Sequence, residues 1–195
     1  MIPEQVIQHF GATLKSYSKE HTIFNEGEHA DFYYQIKTGH VKMFNLTEDG
    51  KEFVQGFFEK DNSFGEPPLF GAFKYPATAQ TLVASEIYLL SKTSFFDLLK
   101  SHPDIHLTFT QMICKRMIYK AKIAREMSIY PPEHRILTLL HHLKTNAKIE
   151  TAFEVPLTRQ QISELTGLRV ETVIRAIKKL EKLESLAIID RKVVL

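Results

Sequence analysis

Two periodicities divide the chain. From about Lys19 to Ser91, short runs alternate apolar and polar residues and are cut by turn residues, the pattern of strands half-buried against a core. His21-Thr22-Ile23-Phe24 leads into the turn Asn25-Glu26-Gly27-Glu28, then Asp31 to Ile36, then Lys37-Thr38-Gly39. Val41 to Leu46 alternates and ends at Thr47-Glu48-Asp49-Gly50, whose Asp-Gly predicts a hairpin into Phe53 to Phe58, because glycine takes positive φ at no cost. Thr78 to Leu90 reads as one further long alternating run. Many short strands at this spacing predict a closed barrel or roll, which leaves no long edge unpaired.

After Ser91 the apolar residues recur every three or four positions, the helical period. Thr93 to Leu99 predicts a short helix, and His102-Pro103-Asp104 opens a much longer one that meets no Gly or further Pro until about Met127 or Ile129. Its stripe is Phe109, Met112, Ile113, Met117, Ile118, Ile123, Ala124 and Met127, while Lys115, Arg116, Lys120, Lys122 and Arg125 make its charge mostly basic. At about 1.5 Å per residue such a helix exceeds about 35 Å. A small barrel cannot cover a stripe of that length. A second copy in parallel pairing is the expected partner, the alternative being one helix laid across its own sheet. Tyr130-Pro131-Pro132-Glu133 ends it, since proline unsettles its predecessor yet suits the first turn of a new helix. That next helix is expected from Glu133 to about Lys144, followed by a polar linker, Thr145 to Thr151. The expected division is therefore residues 1–101 as a roll, 102–130 as a dimerisation helix and 131–195 as a third unit.

The third unit carries the decisive motif. Thr158 with Gln161 three residues on makes a capping box, and the short helix it opens, with Ile162 and Leu165 inside, stops at Gly167. A second helix follows Leu168 with Val170, Val173, Ile177 and Leu180 on its inner side. Two short helices joined at a glycine in this register predict a helix-turn-helix. Arg169, Glu171, Thr172, Arg175 and Lys178 avoid the core positions of the second helix. In this motif that helix enters the major groove of duplex DNA, where Arg pairs with guanine O6 and N7 and Glu accepts from cytosine N4. Glu171 and Arg175, four apart, can read neighbouring bases and are expected to pair with each other in the free protein. Thr158, Arg159 and Thr172 are candidates for the DNA phosphates, and Gln160 is a further candidate DNA contact. Ala187 to Val194 reads as a hairpin with a basic turn, a wing. The plain alternative is a surface helix laced with salt bridges.

Composition narrows the classes. The 195 residues are 44% hydrophobic and 25% charged, ordinary for a globular chain, and no apolar run approaches the roughly 18 residues of a membrane span. The opening residues lack a basic region before an apolar stretch, so no secretory signal is expected. The single Cys114 excludes an internal disulfide and a site built of several cysteines, and with the rest it predicts a cytoplasmic protein. The net charge of +2 is uneven: residues 1–130 hold 14 Lys/Arg against 15 Asp/Glu, residues 131–195 hold 11 against 8. The positive excess lies with the helix-turn-helix, where a nucleic acid is expected. An enzyme on a cupin-like roll would need His-x-His, whereas His21, His29 and His40 are eight and eleven residues apart. No enzyme and no cofactor are predicted. Heme ligation through a His or Cys114 stays open, although a lone Cys on an apolar helix face is usually core.

These motifs strongly resemble the CRP/FNR family, the regulators typified by the cyclic-AMP receptor protein and the fumarate-nitrate regulator. Thr158-Arg159-Gln160 with Glu171-Thr172-Val173 and Arg175 is similar to its helix-turn-helix signature, Val170-Glu171-Thr172 being closer to the fumarate-nitrate branch. Ile174 fills a position where that branch carries a small polar reader. Asn25-Glu26-Gly27-Glu28, Tyr33 to Gly39 and Phe64-Gly65-Glu66 resemble its roll, and Pro131 to Ile136 its hinge. The resemblance implies an α+β chain: an N-terminal double-stranded β-helix (a jelly roll like cyclic-nucleotide-binding domains), a long dimerisation helix and a C-terminal winged helix-turn-helix. It implies a homodimer on palindromic double-stranded DNA, with half-sites about 34–36 Å apart that each hold a G-A step, and RNA polymerase as a further partner. It points to Gly65, Glu66 and Lys120 as effector-binding positions. Three departures matter. The Arg-Ser pair that holds the phosphate of a cyclic nucleotide reads Pro76-Ala77 here, Lys74 being the nearest cation, and the cysteines of the iron–sulfur branch are missing. The dimer-helix hydroxyls that meet adenine are replaced by Lys120 and Ala121. The expected effector is something other than cyclic AMP, or none. A roll that binds a small molecule without binding DNA is the alternative.

Overall fold

A computed structural model describes residues 2–48, 50–71 and 73–195, with only the backbone of Met127 and Ser128. In chain order the elements are α1 (Glu4–His9), β1 (Thr13–Tyr17), β2 (Thr22–Phe24), β3 (Phe32–Thr38), β4 (Val41–Leu46), β5 (Glu52–Phe58), β6 (Ser63–Phe64), α2 (Pro67–Gly71), β7 (Thr78–Thr81) and β8 (Ser85–Ser91). Then come α3 (Lys92–Ser101), α4 (Pro103–Ile129), α5 (Pro132–Ala147), α6 (Arg159–Thr166), α7 (Val170–Lys182), β9 (Ala187–Ile189) and β10 (Lys192–Val194). The class is α+β, as expected. The chain divides into two compact units, Met1–Cys114 and Lys115–Leu195.

The first unit is a roll of two four-stranded antiparallel sheets, β1-β8-β3-β6 and β2-β7-β4-β5. The middle strands β3 and β8 are buried along most of their length, with Tyr33, Ile36, Ile87 and Leu90 wholly inside. Burial of each such side chain contributes roughly 1.5–3 kcal/mol. The one polar core position of β3 is satisfied: Gln35 Nε2 donates to the Ile2 carbonyl at 2.9 Å, and Tyr33 Oη donates to Gln35 Oε1 at 2.9 Å. The hairpin expected after Leu46 forms, with Thr47 N donating to Lys51 O at 2.8 Å. Asp49 itself lies outside the described residues.

Two expectations need correction. Thr78 to Leu90 is not one strand, because the chain bends at residues 82–84 and passes from the second sheet to the first. There Val83 is exposed, and Leu82 N donates to His40 O at 2.8 Å instead of to a continuing ladder. Strands also begin earlier than Lys19: β1 pairs with β8 from Thr13↔Leu89 to Tyr17↔Ser85. Its side chains are nearly all exposed, so no apolar alternation announces it.

Helix α4 opens at Pro103 and runs 27 residues. Phe109 is buried and Met112 and Ile113 pack partly against the roll, but Leu107, Met117, Ile118 and Ile129 are exposed in the single chain. Cys114, expected in the core, is exposed as well. It lies three and four residues from Met117 and Ile118, on the face the chain leaves uncovered. The side chain of Met127, the last member of the expected stripe, lies outside the described residues. After α4 the break at Tyr130-Pro131 is held by side chains: Glu126, a buried carboxylate, lies 2.8 Å from His134 Nε2, and Arg135 Nε donates to the Tyr130 carbonyl at 3.0 Å.

In the second unit Ile136, Leu139 and Leu140 of α5, Ile162 of α6 and Val173, Ala176, Ile177 and Leu180 of α7 make one core with Phe153, Val155 and Val193. The hairpin β9–β10 turns at Asp190 and Arg191, both at positive φ (48° and 66°), the two-residue turn that matches strand twist. Residues 153–155 extend it, Val155 N donating to Val193 O at 2.8 Å.

Candidate nucleic-acid interface

The start of α6 is fixed locally. Gln161 N donates to Thr158 Oγ1 at 3.2 Å and Thr158 N donates to Gln161 Oε1 at 2.9 Å, the reciprocal capping box. The helix stops at Gly167, whose φ of 66° is the left-handed conformation that glycine adopts without strain. Ser163 closes the turn from inside, its Oγ donating to the Leu168 carbonyl at 2.5 Å. Sequence reading passed over this serine. Arg169 then serves as the extended residue before α7.

Helix α7 buries Val173, Ala176, Ile177 and Leu180 at the three-and-four spacing, so the opposite side is outward by geometry. Arg169, Glu171, Arg175 and Lys178 are all exposed there, and Thr172 is half-buried at the margin. The expected Glu171–Arg175 pair does not form. Among the described residues neither side chain has a hydrogen bond or ion pair within the chain, consistent with the small gain, a few tenths of a kcal/mol, that an exposed i,i+4 pair offers. Neighbouring cations are engaged instead: Lys179 Nζ lies 2.8 Å from Glu133 Oε1 on α5, Lys192 pairs with Glu154, and Lys144 donates to the Leu195 carbonyl at 3.2 Å. The Lys179 hydrogen bond holds the Glu133 carboxyl below its ordinary pKa.

The remaining expected positions differ in exposure. Thr158 and Gln160 are exposed, the latter donating to Glu164 Oε1 at 2.9 Å. Arg159 is half-buried, its Nη2 3.5 Å from the Arg191 carbonyl in the wing turn, and burial lowers its guanidinium pKa against the opposing charge of Glu181. Arg159 thus bridges the start of α6 to the wing. Arg191, at the turn, is exposed and was read only as part of a basic turn.

The expected effector positions present a different picture. Gly65 has φ +72°, and a Cβ there would come within 2.9 Å of the Phe24 ring and 3.2 Å of Tyr75. Glu66 is buried and accepts a hydrogen bond from Ser63 Oγ. The Phe24 and Tyr75 rings stack at 3.7 Å, Tyr34 and Phe64 at 5.3 Å, and Phe58 lies 6.0 Å from Phe64. Burial pushes the Tyr34 hydroxyl up to about 12 and Tyr75 higher still. Next along the chain Ala77 is wholly buried, and the Pro76 carbonyl accepts from Asn45 Nδ2 at 2.7 Å. Lys74 is exposed, and Lys120 is exposed on α4 within the second unit.

Comparisons with known proteins agree with both halves. Residues 14–102 match the family model of the cyclic nucleotide-binding domain, and residues 134–195 match that of the Crp-like helix-turn-helix domain. The cAMP-activated global transcriptional regulator CRP of Haemophilus influenzae is 27% identical over 172 residues, spanning 86% of this chain and 77% of that protein. The chain belongs to the CRP/FNR family. Two solved members share its fold: the c-di-GMP responsive global regulator CLP of Xanthomonas campestris, with a TM-score of 0.76 at 22% identity over 99% of both chains, and FixK2 from Bradyrhizobium japonicum, with a TM-score of 0.76 at 23% identity over 94% and 92%.

As a CRP/FNR protein the chain is a DNA-binding transcription regulator and not an enzyme. Among its described residues no helix is long and apolar enough to cross a membrane. The two family signatures, however, meet different surroundings. Helix α7 holds Glu171, Arg175 and Lys178 outward with no partner among the described residues, whereas Gly65 and Glu66 are enclosed by the aromatic rings and hydroxyl of their own domain.

Proposed function

We propose that this regulator acts in the cytoplasm as a homodimer on a two-fold operator, reading each half-site with α7 and without help from cyclic AMP. The observation that carries the proposal is the outward, unengaged pair Glu171 and Arg175 at one helical turn's separation. Arg175 donates to guanine O6 and N7, and Glu171 accepts from the N4 amino group of a cytosine beside it; the G-A step of each half-site is what the family resemblance implies. Arg169 and Lys178 supply charge beside them, while Thr158, Gln160 and Thr172 meet the DNA backbone and fix register. Arg159 works from behind, steadying the wing. The second copy pairs along α4, which supports this by leaving Leu107, Cys114, Met117 and Ile118 uncovered at helical spacing. Pairing places the two half-sites about 34–36 Å apart. RNA polymerase is the further partner through which such a dimer acts on transcription.

The case against cyclic AMP rests on charge and space. A phosphate entering the roll needs a cation beside it, and burying one unpaired is costly. Pro76 and Ala77 offer none, and the ring stack of Phe24 and Tyr75 borders Gly65. The effector is another molecule, or there is none. Selecting bound duplexes from a random library tests the proposal: it expects enrichment of an inverted repeat with G-A in each half, with or without cyclic AMP. Enrichment of no sequence, or only after cyclic AMP is added, contradicts it.

A further inference from the structure

Glu126, in the last turn of α4, is a buried carboxylate that the reading of DNA does not use. Its Oε2 is sealed from solvent, and among the described residues the one ion-forming partner within reach is His134 of α5, with Nε2 at 2.8 Å. The neighbouring cations are directed elsewhere. Arg125 Nη2 donates to Tyr130 Oη at 3.1 Å, Arg135 Nε donates to the Tyr130 carbonyl, and Lys179 of α7 is paired with Glu133. Lys122, one turn before Glu126, acts instead on His142, whose pKa is lowered first by burial and then by this lysine. The Tyr130 ring stacks on the His134 ring at 4.2 Å and steadies it at the carboxylate. Two turns back along α4, Tyr119 stacks on His142 at 3.6 Å, so α5 returns along the end of α4 with a histidine at each end of the seam. Helix α5 in turn shares its core with α7 through Ile136, Leu139 and Leu140. Whatever seats α5 on α4 also seats α7.

We propose that Glu126 and His134 form a proton-operated clasp, closed when the imidazole is charged, that fixes α5 and α7 against the end of α4. A carboxylate taken out of water needs an opposing charge, and losing that charge while it stays buried is costly. Histidine takes up its proton between about pH 5 and pH 8, and the half-exposed ring of His134 exchanges protons with solvent freely. Charged, it balances Glu126 through a charge-assisted hydrogen bond. A neutral ring still donates from Nε2 but leaves the carboxylate uncompensated, so the seam loosens as the pH rises. The consequence for DNA rests on the reading role proposed for α7. With the clasp open, two copies no longer hold their reading helices at a fixed spacing, and the preference for an operator over other DNA falls.

Hydrogen exchange of the full-length protein reads the clasp without DNA. The probes are the amides of Tyr130, His134 and Arg135, which donate to the carbonyls of Glu126 and Pro131 at this junction. After correction for intrinsic rates, their protection should be about tenfold higher at about pH 5.5 than at about pH 8, the effect of one hydrogen bond to a charged group. Glu126→Gln removes the buried charge, and His134→Gln changes only an exposed side chain and keeps the fold. In both variants protection should be the same at the two pH values. Operator preference over a scrambled duplex should follow, falling about tenfold at the higher pH in the wild type and not at all in His134→Gln. Wild-type protection that ignores pH, or a pH dependence that survives in His134→Gln, overturns the clasp. The expected exchange pattern beside an operator preference that ignores pH overturns its tie to DNA binding. The same pattern in a protein that prefers no operator at either pH supports the clasp and overturns the reading role of α7.

Discussion

The outward side of α7 and the interior of the roll both carry residues that family resemblance marks as functional, yet the fold treats them in opposite ways. On α7 the core is built from Val173, Ala176, Ile177 and Leu180, and among the described residues nothing engages Glu171 or Arg175. In the roll, Ser63 bonds to Glu66 while Gly65 gives the Phe24 and Tyr75 rings their room. A polar group left without a partner on a surface is available to a ligand; one already satisfied inside has a structural job. The same distinction separates adjacent lysines. Lys179 is tied to Glu133, and Lys178, the next residue back, faces outward with no such tie among the described residues.

This comparison can be broken most directly at Arg175. Arg175→Ala should cost about 1–3 kcal/mol for each half-site and relax the preference for guanine, with thermal unfolding unchanged. Fluorescence anisotropy on operator and scrambled duplexes measures it, and retained specificity would remove Arg175 from the reading role. In the roll, Gly65→Ala should lower folding stability by about 1–3 kcal/mol with no nucleotide present, since it combines positive φ with a crowded Cβ. Chemical denaturation reads that loss; an unchanged midpoint would mean that Gly65 is kept for something other than packing.

A smaller effect sharpens the contrast. Lys178→Gln should reduce the salt dependence of DNA binding by about one charge, whereas Lys179→Gln should leave the slope unaltered. Lys179→Gln should instead trim stability slightly, because the lysine end of the pair is largely exposed. The Glu133 pKa is depressed in the folded protein, so that contribution is present above the ordinary carboxylate pKa and fades as the pH falls through the folded value. Unfolding curves of wild type and Lys179→Gln should therefore converge in acid. Equal salt slopes for the two lysine variants would erase the distinction between them.

How much of this was legible in the sequence follows local signals. The capping box of Thr158 and Gln161, the Gly167 stop and the α7 spacing are short-range and were read residue by residue, as was the class of the roll. The division of Thr78 to Leu90 into β7 and β8 was not, because a strand that changes sheets keeps its alternation while losing its ladder partner. Exposed β1 carried no apolar signal at all. Ser163 was missed because its bond to Leu168 depends on the turn already being closed. The exposed Cys114 defied the usual burial of that residue because α4 has a face that this chain does not cover.

The central claim is that α7 recognises its operator unaided by cyclic AMP, and a single competition experiment tests it. Wild-type protein is titrated onto the selected operator and onto a scrambled duplex of equal length, with and without saturating cyclic AMP. The predicted result is a preference for the operator of about a thousandfold or more, the same in both conditions. A preference that emerges only when the nucleotide is added, or operator and scrambled duplex bound alike throughout, would contradict it.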